Sequence, residues 1–236
     1  MSADEHYRAL VQRAAESVES LVGDVEPFTT FVAVHNVADE IEKVVSAVAE
    51  RPEAVLYKLA LREYNYALYA ASSGSYRHAH IGLRMFLELF SAGIYFSAYE
   101  IKLRSWLSGF DGSDINWAAL SNADTGIYST SFVNAFNPAI SSSAKQYRTI
   151  ATATYRECSE FVHGNIHTQD LSFPPLSYKR ESLQEWIDRA EAANLCVLFS
   201  FASRYLALLS KDQLAQVEAP MIDRLGHIAA VQQIYT

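Results

Sequence analysis

The chain has two cysteines in 236 residues, Cys158 and Cys196, too few to staple a small secreted domain. Both lie inside helical patterns, so no disulfide framework is expected, and a reducing cytoplasm is the natural setting. Strand signals are just as scarce. There is no sustained alternation of apolar and polar residues, and no Asn-Gly or Asp-Gly turn stands between two alternating runs. Long apolar runs are also missing. The most apolar segments, 82–98 and 195–209, are interrupted by Arg84, Glu88 and Arg204. Both fall short of the roughly 20 residues that span a bilayer. The opening MSADEHYRAL is charged and has no apolar run, unlike a secretory signal. A membrane location is therefore not expected.

Catalytic signatures that need glycine are absent as well. No Gly-rich phosphate loop, nucleophile elbow or dinucleotide fingerprint occurs, and no cofactor is expected. His163 and His167 are four apart, but HGNIH lacks the Glu of the zinc-protease motif, and His78 and His80 point away from each other on a helix. No metal site is expected. Lysine is sparse, with 6 Lys against 13 Arg, and 19 basic residues face 27 acidic ones for a net charge of −8. That excludes a broad non-specific nucleic-acid surface but leaves room for a local cationic groove.

What remains is helix almost throughout, with apolar residues recurring at three- and four-residue spacing. The expected fold is an all-α multi-helix bundle. A first stripe (Tyr7, Leu10, Val11, Ala14, Val18, Leu21, Val22) runs over 3–22 and stops at Gly23. Pro27 and FTTFVAV read as a connection, followed by a helix over 37–50. Arg51-Pro52 breaks it, and Pro52 begins the next helix, 52–71. The longest helix is expected over 76–107. An irregular stretch, 115–143, is expected to hold one or two short helices. Helices follow at 147–165, 179–209 and 213–233, with a loop at 167–177 around Pro174-Pro175. Residues 1–50 read as an N-terminal helical appendage and 51–236 as the main bundle. The tyrosines of YNYALYAASSGSYRH (Tyr64, Tyr66, Tyr69, Tyr76) are expected to pack with their hydroxyls at the surface.

The chemistry-bearing residues gather in two stretches. Arg84 and Glu88, at i and i+4 inside an apolar helix, can form a partly buried pair. His80 and Tyr95 extend that face into a polar seam. The second stretch, YRTIATATYRECSEFVHGN, carries Tyr155, Arg156, Ser159, Glu160 and His163 in its last two turns. Arg156 and His163 are two turns apart on one side, with Glu160 between them, and Tyr155, Ser159 and His163 form a second row. Gly164 is placed to end the helix just after His163, at a terminus whose dipole favours a positive charge. An Arg that holds phosphate and a His that moves a proton are what RNA-backbone cleavage through the 2′-hydroxyl requires. The competing reading makes the same residues a buried clasp between two helices of a non-catalytic interaction module.

The pairing of the R-x-x-x-E helix (Arg84 to Glu88) with the later Y-R-x-x-S-x-x-x-H-G helix end (Tyr155 to Gly164) resembles the HEPN superfamily. This is a set of small helical bundles whose active members are metal-independent ribonucleases with an R-x4–6-H motif. Arg156 and His163 match that motif with six intervening residues. The resemblance covers about 52–209, leaving additional helices at both ends. It implies a homodimer with apposed motifs and an RNA substrate. It gives Arg156 the phosphate and His163 the acid–base role, with Glu160 beside them and Arg84, Glu88, His80, Tyr155 and Ser159 in support. It also implies a toxin or antiphage-defence setting, with a protein partner of such a system. The residue after the Arg is Glu157, where active members often carry Asn, Asp or His.

Overall fold

The computed structural model describes residues 1–110, 112–163, 165–168 and 176–236. Eleven α-helices and no strands occur among them, so the all-α bundle read from the sequence is the observed fold.

Helix α1 (Ala3–Gly23) starts in a capping box in which Ser2 and Glu5 satisfy each other's backbone N–H groups. Only its C-terminal end, through Ser17 and Leu21, is buried. Helix α2 (Val25–Ala47) corrects the expectation of a connection, because FTTFVAV lies inside it. Pro27 falls in the first turn, where its missing N–H would have no intrahelical acceptor. The Thr29 and Thr30 hydroxyls donate to the carbonyls of Val25 and Glu26, one turn earlier. Phe31, Val34, Val37, Ala38, Ile41 and Val45 then follow at helical spacing into the core shared with the later helices.

Helices α3 (Ala54–Ser72) and α4 (Tyr76–Ala98) form a tight hairpin around Gly74, whose φ is +74°. A Cβ at Gly74 would lie 2.6 Å from the Ser177 backbone, so the turn admits only glycine. Within the pair, Gly82 lies against Ala67 and Gly93 against the Tyr57 ring, which lets the two backbones approach closely. The expected long helix over 76–107 is two helices. It breaks at Tyr99 into α4 and α5 (Glu100–Leu107), with the Tyr99 ring tilted against Tyr95 at 4.5 Å.

The segment 115–143 holds α6 (Trp117–Leu120), α7 (Thr130–Phe136) and a 3-10 turn, Pro138–Ser143. Then come α8 (Ala144–His163) and α9 (Arg180–Tyr205), the latter buried along its C-terminal half. The expected last helix is also two, α10 (Lys211–Leu225), with Pro220 inside it, and the short α11 (Ala229–Gln232). Gly164 and Pro174-Pro175 lie outside the described residues.

Helix α4 is the centre, packed between α3, α8 and α9. It is long and apolar enough to cross a membrane by composition alone, but 72% of that stretch is buried inside the bundle. Buried hydroxyls run through the core. Tyr57 and Tyr205 share a 2.7 Å hydrogen bond, and Tyr205 donates to Glu53 at 2.6 Å. Tyr64 is likewise buried, donating to the Val34 carbonyl at 2.7 Å, which corrects its expected surface hydroxyl. Tyr66 and Tyr69 are exposed.

Candidate functional site

Helix α8 is strongly two-sided. Ala144, Tyr147, Ala151, Thr154 and Cys158 face inward, and this sets the orientation of every charged residue on the helix. Two separate arrangements follow, one against α4 and one turned to solvent.

The inner arrangement is built on Tyr155. Its hydroxyl accepts a 2.5 Å hydrogen bond from Arg84 Nη2 and donates to Glu88 Oε1 at 3.2 Å. Arg84 and Glu88 also pair directly at 3.5 Å, and both side chains are largely buried. The Arg84 guanidinium carbon lies 4.8 Å from the centre of the Tyr155 ring, and Trp117 of α6 stacks flat on that ring at 4.0 Å and 6°. Burial pushes the Glu88 carboxyl upward, with Arg84 and Tyr155 opposing the shift. Burial also raises the Tyr155 hydroxyl. Arg84 Nε is buried without a partner. These contacts join α4, α6 and α8 in a clasp. Removing one member leaves another buried and unpaired, at a cost of about 1–3 kcal/mol.

The polar seam expected along α4 divides here. His80 does not join the clasp. It is 1% exposed, its ring stacks on Phe161 at 3.9 Å and 18°, and its Nδ1 has no partner. Burial, aided by the Arg189 charge, pushes it down to about 3, so the ring is neutral at pH 7. Tyr95 accepts a hydrogen bond from Lys102 at 3.1 Å, in a separate cluster with Tyr99.

The outer arrangement carries the charges of the R-x6-H motif. Arg156 and His163 are both exposed, and Glu160 is partly so. Lys145, Arg148, Thr152, Arg156 and His163 share one outward face of α8 by helix geometry. Of the thirteen arginines, at least eight pair with a carboxylate, whereas Arg148 and Arg156 have no carboxylate partner among the described residues. Arg148, Thr149, Thr152, Ala153 and Arg156 line an open depression of about 320 Å³. His163 and Glu160 likewise make no side-chain hydrogen bond among the described residues, so neither belongs to a buried clasp. Ser159 spends its hydroxyl on the Tyr155 carbonyl at 2.7 Å.

Three contacts were hidden from sequence reasoning. Glu157 pairs with Arg189 of α9 at 3.1 Å, a helix-to-helix tie. Arg77 donates to the Phe161 carbonyl at 3.0 Å, satisfying one of the open carbonyls in the last turn of α8. Trp117 joins Tyr155 from a segment without regular periodicity. Arg148 was within reach of sequence reasoning, two turns before Arg156 on the same face. Among the described residues, no group of three His, Cys, Asp or Glu side chains is placed to hold a metal ion.

No protein-family model, curated protein or solved structure matches this chain. The class defined by fold and site is an all-α bundle with a braced helix that presents Arg156 and His163 outward.

Proposed function

We propose that this protein cleaves RNA without a metal ion, using Arg156 and His163 on the outer face of α8. The observation that carries the reading is that both side chains are exposed, with no partner among the described residues, on one face of a helix braced from behind. An exposed guanidinium suits a phosphate, and an exposed imidazole can take up and give back a proton. In the reaction His163 takes the proton of a ribose 2′-hydroxyl and the oxygen attacks the adjacent phosphorus. The bond to the 5′-oxygen breaks, that oxygen takes a proton from solvent water as it leaves, the His163 imidazolium returns its proton to solvent, and a 2′,3′-cyclic phosphate remains. Arg156 offsets the charge that builds on the phosphoryl oxygens. Glu160 flanks the pair. Arg84, Glu88 and Tyr155 are assigned to bracing α8, and so is Glu157 through Arg189. By the HEPN resemblance the working unit is a pair of chains with their α8 faces apposed across the substrate, and toxin or phage-defence biology is the setting.

The clasp favours a second reading for part of the constellation. Largely buried and bonded to one another, Arg84, Glu88 and Tyr155 fit a non-catalytic interaction module as well as a nuclease. Cleavage of mixed tRNA and mRNA in EDTA separates the two. His163→Ala is expected to keep the fold and lose about 10²- to 10⁴-fold in rate, the usual contribution of a positioned acid–base group. Wild-type cleavage by His163→Ala would refute the assignment, and no cleavage by either protein would favour the interaction module.

A further inference from the structure

We infer that Arg148, with Thr152 beside it, forms a second phosphate subsite on α8, so that the face holds a single strand of nucleic acid along the helix rather than one isolated phosphate. The inference deepens the reading above and rests on it for the register of the strand. Arg148 is partly exposed, shares the open depression with Arg156, and has no carboxylate partner among the described residues. Eight residues separate the two arginines. At 1.5 Å per residue that is about 12 Å along the axis, too far for two guanidiniums to serve one phosphate and suited to two phosphates of the same strand. Lys145 continues the line on one side of Arg148, and His163 ends it beyond Arg156.

The width of this cationic line argues for one strand. Glu160 borders it along one edge, and the second phosphate row of a duplex laid on α8 would meet its carboxylate. Tyr155, with Trp117 stacked on it, borders the other edge. Aromatic side chains beside a backbone-binding groove favour bases that are not already paired. Because the chain as a whole carries a net charge of −8, this local reversal of sign also draws a polyanion to α8 in preference to other faces.

The test uses the full chain and a fluorescent uridine 12-mer with 2′-O-methyl riboses, which binds without being cut, titrated by anisotropy at several KCl concentrations in EDTA. Arg148→Ala is expected to weaken binding about tenfold at low salt and to reduce the slope of log K against log salt by about 0.7, the value for one phosphate contact on a single strand. Arg148→Lys should keep most of that slope. Arg13→Ala, on α1, should match wild type. A duplex of the same length should bind more weakly than the single strand. Unchanged affinity and slope in Arg148→Ala would overturn the subsite, as would a duplex bound more tightly than the strand. Binding of phosphatidylserine vesicles without binding of the 12-mer would overturn it too. If Arg148→Ala shows its expected defect while the ribose form of the strand is never cleaved, the subsite stands and the nuclease reading falls.

Discussion

His80 shows how one buried side chain can set acid sensitivity for the whole fold. Its ring is stacked on Phe161, has no partner at Nδ1, and is held down to about 3 by burial, while the unfolded chain titrates near the ordinary 6.5. Below pH 6.5 the unfolded state therefore takes up a proton that the folded state refuses. Stability from this group is complete above that pH and drains away as pH falls toward 3. Relative to His80→Phe, which keeps an aromatic ring against Phe161, the wild type should lose roughly 3 kcal/mol between pH 7 and pH 4. Urea titrations of both proteins across that range measure it, and parallel pH curves would show that His80 is protonated in the folded state. Glu88 shifts in the opposite sense. With its carboxyl raised by burial, the proton binds more tightly to the folded state, so its contribution to stability grows as the medium is acidified.

At the level of helices, α4 leaves no room for a side chain at Gly93 against Tyr57 of α3. A Cβ there would lie 2.3 Å from a ring carbon of Tyr57, and Tyr57 has little freedom to move. Its hydroxyl is tied to Tyr205 at 2.7 Å and its ring packs on Phe90 at 4.6 Å. Gly93→Ala should therefore destabilise by about 1–3 kcal/mol or more, the range for overpacking a tight core, read as a lower urea midpoint. A wild-type midpoint would mean that the ring swings aside freely. The same scale shows what sequence reasoning could reach. Helix periodicity located α8 to within three residues at its start, and the R-x6-H spacing put Arg156 and His163 on one side. It failed at α2, because Pro27 and a β-branched run look like a breaker, although proline is harmless in a first turn and buried valines follow helical spacing. It failed at Tyr99, where the chain bends with neither Pro nor Gly to mark it. The clasp was half legible. Arg84 and Glu88 are local neighbours, but Trp117 and Arg189 meet α8 through tertiary contacts that no local spacing encodes.

For the molecule as a whole, stability is concentrated away from its N-terminus. Helix α1 buries only Ser17 and Leu21, while Tyr7 and Val11 are 67% and 72% exposed. Deleting residues 1–14 should shift the unfolding free energy by no more than about 1 kcal/mol, and unfolding should stay a single cooperative transition by circular dichroism and fluorescence. A large loss would mean that the exposed stripe of α1 is covered in solution. Circular dichroism has a second use. Only three tryptophans occur, and Trp117 is the one whose indole lies flat on a tyrosine at 4.0 Å. Two aromatic chromophores fixed in that geometry couple their transitions and give a near-ultraviolet signal that vanishes when packing loosens, even where helix content is kept. The molecule thus carries its own optical gauge of how α8 is seated, one that can be followed without a label while a strand is added to its outer face.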